Sequence, residues 1–143
     1  MPPTSQASKG WRRPSLSKRA HITQLNDGIA AIDTEYLRPI QDASHLIVAS
    51  GRGAFVDTGA NDAVPLLLDG LAQQGLDVAD VDYVFLTHIH LDHAGGAGLL
   101  MQHLPEARCV LHPRGAPHMV SPERLIAGTI GVYGEERTRE MYG

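Results

Sequence analysis

The stretch THIHLDHAGG, residues 87–96, places His88, His90, Asp92 and His93 within six consecutive positions. Imidazole and carboxylate groups crowded this tightly need a positive charge among them. The preceding residues, VDYVFLT (81–87), are mostly apolar and β-prone, the composition of a strand covered on both sides. After the cluster, Ala97, Leu100, Met101 and Leu104 recur at helical spacing and Pro105 ends the run. The four groups therefore fall in a loop between the carboxyl end of a buried strand and a helix, where α/β folds tend to place their chemistry.

In an extended segment, side chains two positions apart point the same way, so His88 and His90 are placed to grip one cation. Asp92 and His93 lie where the chain turns into the helix and suit a second cation. Gly95 and Gly96 allow a tight turn there, while Ile89 and Leu91 face the core. The donors suit zinc, with iron or manganese as substitutes. A calcium site would use oxygens instead. The plainer alternative is a histidine-rich loop that only caps a helix.

Upstream, HITQL and IAAID flank Asn26-Asp27-Gly28, and HLIVAS and GAFVD flank Gly51-Arg52, which predicts two β-hairpins ending at Asp57. Val64, Leu67, Leu68 and Leu71 then predict an amphipathic helix, capped by Asn61 or Asp62 and stopped at Gly75. ARCVLH (107–112) reads as a further buried strand and holds Cys109 as a buried thiol. Ser121-Pro122-Glu123 can start another helix, weakened by Gly128, Gly131 and Gly134, and GEERTRE (134–140) reads as an exposed helix face.

Length and composition fit one domain: 143 residues, 43% hydrophobic and 20% charged. Charge is uneven. Residues 1–20 hold five basic residues and no acid, and are expected to be a disordered basic tail. The remainder holds the other 7 of 12 basic residues against all 16 acids, a balance of −9 that argues against nucleic-acid binding. No membrane span or secretory signal is expected, and the single cysteine fits a cytoplasmic location.

The pattern His88-x-His90-x-Asp92-His93, with Thr87 before it and Gly95-Gly96 after it, resembles the metallo-β-lactamase superfamily signature. GAFVDTG (53–59) is similar to that family's second-hairpin strand, which ends in an aspartate, here Asp57. The resemblance runs from about residue 21 to about 113. It implies an α+β, αββα sandwich, of which residues 21–143 form the amino-terminal portion, a mixed sheet with two or three helices. It also implies a hydrolase that uses a metal-bound hydroxide on an ester, thioester, lactone or related bond of a small-molecule substrate. Carried over, His88 and His90 hold the first metal, Asp92 and His93 the second, and Asp57 supports the loop beneath them. Asp92 is also the assigned catalytic residue. His90 stands where the related diiron oxygen-reductase branch has glutamate.

The family completes its site with later histidines and an aspartate. His103, His112 and His118 do not match them, and no counterpart of the aspartate is evident. The site is thus expected to be incomplete in this chain, as in a truncated domain. The alternative function is a catalytically silent metal-binding or assembly fragment, which self-associates through an unfinished core. Tyr36 and Arg38 fall in the loop between the hairpins, where a solvated connection is the plainer reading and substrate contact the sharper one.

Overall fold

The computed structural model describes residues 18–142. Residues 1–17, most of the expected basic tail, lie outside them. Strands β1 (Ile22–Gln24) and β2 (Ile29–Asp33) pair antiparallel around Asp27-Gly28. Both turn residues have positive φ, 58° and 77°, and the Ile29 N–H donates to the Asn26 carbonyl at 3.2 Å. That is the two-residue turn whose twist matches a hairpin. Strands β3 (Ala43–Ala49) and β4 (Arg52–Val56) form the second hairpin. Its turn is Ser50-Gly51, one residue earlier than expected, because Arg52 already pairs with Ala49.

From β4 a 3-10 turn (Asn61–Ala63) leads into α1 (Val64–Gln73). Asn61 and Asp62 sit inside that turn and supply no side-chain cap to α1. The helix ends as Gly75 predicts: the Leu76 N–H reaches the Leu71 carbonyl and the Gly75 N–H reaches that of Ala72. Strand β5 (Val81–Phe85) then runs parallel to β4. Helices α2 (Leu91–Ala94) and α3 (Ala97–His103) follow, and β6 (Arg108–Val110) adds parallel to β5. The sheet order is β1-β2-β3-β4-β5-β6. Helices α4 (Ala116–Val120), α5 (Glu123–Tyr133) and α6 (Glu135–Tyr142) complete the described residues.

One sheet face holds the core. Ala30, Leu46, Phe55 and Val84 are cross-strand partners in one row, all fully buried. Leu46, Phe55 and Val84 lie in one cluster with Leu67 and Leu71 of α1 and Leu100 of α3. Burying each of the larger side chains contributes about 1.5–3 kcal/mol. The opposite face is open. Its rows include Ala31–His45–Val56–Phe85–Val110, and Tyr83, Phe85 and Val110 are 42%, 37% and 40% exposed.

Strand β5 is therefore covered on one side, not two as its apolar run suggested. Strand β6 is an edge strand with all three residues exposed, so Cys109 is exposed and not buried as expected. The helices also exceed the two or three expected. Helix α5 runs through Gly128 and Gly131, and α6 is not wholly a solvated face. Thr138 and Met141 of α6 are buried, Met141 in a cluster with Ala60 and Leu91. The carboxyl-terminal helix thus packs against the histidine loop.

Candidate metal centre

Asp57 follows β4 with φ 63°, and its backbone N–H donates to the Phe85 carbonyl at 2.8 Å. The Ser44 hydroxyl donates to the Asp57 carbonyl at 2.8 Å, so the residue is fixed from both neighbouring strands. Its carboxylate, on a residue only 7% exposed, then ties down the histidine loop. Oδ1 accepts the Thr87 N–H at 2.8 Å, and Oδ2 accepts the Thr87 hydroxyl at 2.7 Å. His93 Nδ1 lies 2.9 Å from the same Oδ2.

These bonds fix the imidazole tautomers. A carboxylate oxygen only accepts, so His93 Nδ1 carries a proton and Nε2 is left facing away from Asp57. The Thr87 hydroxyl has one hydrogen, already given to Asp57. His88 Nδ1, 2.9 Å from Thr87 Oγ1, must therefore be the donor there, which leaves Nε2 as the nitrogen available to a metal.

The turn after the histidines is held as closely. The His90 carbonyl accepts the N–H groups of His93 (3.0 Å) and Ala94 (2.8 Å), opening α2. The Thr58 N–H donates to the His93 carbonyl and the Gly96 N–H to that of Gly59, both at 2.7 Å. A Cβ on Gly96 would stand 2.7 Å from the Ala60 carbonyl oxygen, so this close approach needs glycine. Leu91 is buried, as its spacer role required, whereas Ile89 is half-buried.

Of the predicted residues, Asp57, His88 and Asp92 come together around His93. Ligand atoms of Asp57, His88 and His93 lie within 4.8 Å of one another, and so do those of Asp42, Asp92 and His93. His93 Nε2 is 3.2 Å from Asp92 Oδ2 and 3.6 Å from Asp42 Oδ2. His88 and His93 have ring centroids 4.2 Å apart. His90 is exposed, its ring perpendicular to that of His88 with centroids 5.0 Å apart, and it joins neither group. His103, His112 and His118 join neither group as well.

Asp42 went unnoticed in the sequence. It precedes β3, remote in sequence from the histidines, and only the sheet pairing brings it to them. Burial pushes its carboxyl above the usual range, partly offset by the Ala43 N–H, which donates to Oδ1 at 2.8 Å. A cavity of about 530 Å³ opens beside these groups on the uncovered sheet face, lined by His21, Asp33, Asp42, His45, Asp57 and His93 among others.

Comparison with known proteins identifies the family and fold. A family model described as the metallo-beta-lactamase superfamily matches residues 37–139. Hydroxyacylglutathione hydrolase from Salmonella typhi is 36% identical over 92 residues, covering 62% of this chain and 33% of that protein. A HARLDQ-motif mutant of the metallo-beta-lactamase from Cronobacter sakazakii superposes with TM-score 0.60 at 26% identity, over 68% of this chain and 36% of the other. BJP-1, a subclass B3 metallo-beta-lactamase of Bradyrhizobium japonicum, gives 0.57 at 28% identity, over 68% and 34%. The chain thus spans about a third of the length of each of these relatives.

Proposed function

Because the chain belongs to the metallo-β-lactamase superfamily, we propose that it acts in metal-dependent hydrolysis of a small-molecule ester, thioester or lactone. The observation that supports this best is the arrangement at His93. Its Nδ1 is pinned by Asp57, its Nε2 is presented beside Asp92, and the His88 ring lies next to it with centroids 4.2 Å apart. Imidazole nitrogens and carboxylate oxygens are the donor set of zinc, with iron or manganese as substitutes. His88 and His90 would hold one ion, Asp92 and His93 a second. Bound there, a divalent ion would lower the pKa of a coordinated water to about 7 and polarise the attacked oxygen.

The chain's own residues supply position. Asp57 and Thr87 orient His93 and His88, the kind of outer support that sets both ring direction and tautomer. Asp92 would serve the reaction as a carboxylate ligand of the ion beside His93. Among candidate substrates a thioester is favoured, since the relative from Salmonella typhi is by name a hydrolase of hydroxyacylglutathione, which is a thioester. The −9 balance beyond residue 20 disfavours nucleic-acid substrates. Among the described residues no helix is long and apolar enough to cross a membrane. A cytoplasmic setting rests on the single cysteine.

The open sheet face favours a second reading. Tyr83, Phe85 and Val110 leave apolar surface of the kind that packs on another layer. On this reading the chain binds metal, self-associates through that face and turns over little by itself. Zinc-loaded chain assayed on an acyl-glutathione thioester separates the two. Metal-dependent turnover lost in His88→Ala supports the hydrolase, whereas stoichiometric metal without turnover supports the silent fragment.

A further inference from the structure

We propose that Asp42 is a third protein ligand of the cation held by Asp92 and His93, so that one complete three-ligand site is assembled from two loops of this chain. The inference rests on the metal-binding reading above and goes beyond it. Asp42 lies 50 positions before Asp92 and belongs to no part of the histidine motif.

Three observations carry it. First, with Nδ1 turned to Asp57, His93 points Nε2 toward two carboxylate oxygens, at 3.2 and 3.6 Å, and ligand atoms of Asp42, Asp92 and His93 all lie within 4.8 Å of one another. Two carboxylates converging on one imidazole nitrogen repel each other unless a cation lies among them. Second, the spacing suits ligands rather than hydrogen bonds. Donors each about 2.0–2.2 Å from one ion lie on the order of 3.0–3.6 Å apart, whereas 3.6 Å exceeds hydrogen-bonding reach. Third, Asp42 is held in place. Its Oδ1 accepts the Ala43 N–H and its carbonyl accepts the Thr34 N–H at 3.1 Å, leaving Oδ2 directed at His93.

The loop that delivers Asp42 is itself built around a carboxylate. Asp33 accepts the Glu35 N–H at Oδ1 and the Ile40 N–H at Oδ2, both at 2.8 Å. Three non-glycine residues of that loop, Glu35, Leu37 and Ile40, are held at positive φ. Such conformations persist only where surrounding contacts over-determine them. Two carboxylates with one imidazole form a harder donor set than the His88–His90 pair, so this site accepts manganese(II) as well as zinc.

The test uses the full chain, stripped of metal and titrated with manganese(II), with free ion counted by its paramagnetic resonance signal. Asp42→Asn keeps an acceptor for the Ala43 N–H, and Asp42→Ser serves as a second variant. Melting in chelator shows that each is folded. Loss of a ligand should cost at least the upper end of what loss of an outer partner costs, so one manganese is expected to bind about 100-fold more weakly in both variants. Binding within about threefold of the parent in both, while Asp92→Asn is weakened, overturns the role of Asp42 and leaves the metal centre standing. If the parent binds no manganese, zinc or cobalt, the metal reading falls and this inference falls with it.

Discussion

Replacing Asp57 with asparagine removes one charge and leaves shape and backbone preference nearly intact, since asparagine also tolerates the left-handed φ of 63°. Three donors converge on this carboxylate: the Thr87 N–H at one oxygen, the Thr87 hydroxyl and His93 Nδ1 at the other. An amide has one oxygen. If it takes the position of Oδ2, its NH₂ confronts the Thr87 N–H. If it takes the position of Oδ1, the NH₂ confronts His93 Nδ1, and the imidazole must move its proton to Nε2. In the first arrangement two part-buried donors face each other and one is left unmatched, at about 1–3 kcal/mol. A loss of about 2 kcal/mol lowers the melting temperature by roughly 6 °C for a chain of this length. In the second arrangement Nε2–H also faces Asp92, so zinc binding falls about 10- to 100-fold. Differential scanning calorimetry and competitive zinc titration measure the two effects. A variant that melts with the parent and binds zinc equally would refute the claim that Asp57 sets the His93 tautomer.

Two further perturbations follow from the same packing. Gly96→Ala brings a Cβ to 2.7 Å from the Ala60 carbonyl and should cost about 1–3 kcal/mol. Gly98→Ala, in α3 with nothing within 4 Å of the new Cβ, should gain up to about 1 kcal/mol; urea denaturation of the pair checks both signs. Asp69 is held below the usual carboxylate range by the Ala20 N–H first and Gln73 second. A depressed folded pKa contributes stability above the unfolded value of about 3.9 that is lost as pH falls through the folded value. Melting curves between pH 6 and pH 2 should therefore converge for parent and Asp69→Asn at the acid end, and parallel curves would count against it.

What could be read from sequence was local. Asp27-Gly28, the spacing of Val64, Leu67 and Leu71, and the crowding of His88 to His93 each carry their meaning within a few residues. They sufficed for two hairpins, an amphipathic helix and a ligand-rich loop after a strand. The misreadings concern partners distant in the chain. Phe85 looks like core in a run of apolar residues, but whether a second layer covers it depends on what packs there. Cys109 is exposed because β6 lies at the sheet edge, a property of strand order and not of the residues ARCVLH. Met141 hides in a charged run because one apolar side chain suffices to dock α6 on Leu91 and Ala60. Asp42 reaches the site only because β3 pairs with β4, setting the loop before one strand beside Asp57 after the other.

The central claim is that His88, His90, Asp92 and His93 exist to hold divalent cations. Calorimetric titration of zinc into the parent chain and into the variant with all four changed to alanine tests it most directly. The account predicts at least one saturable zinc in the parent and none in the variant. Equal heats and equal stoichiometry in the two proteins would contradict it.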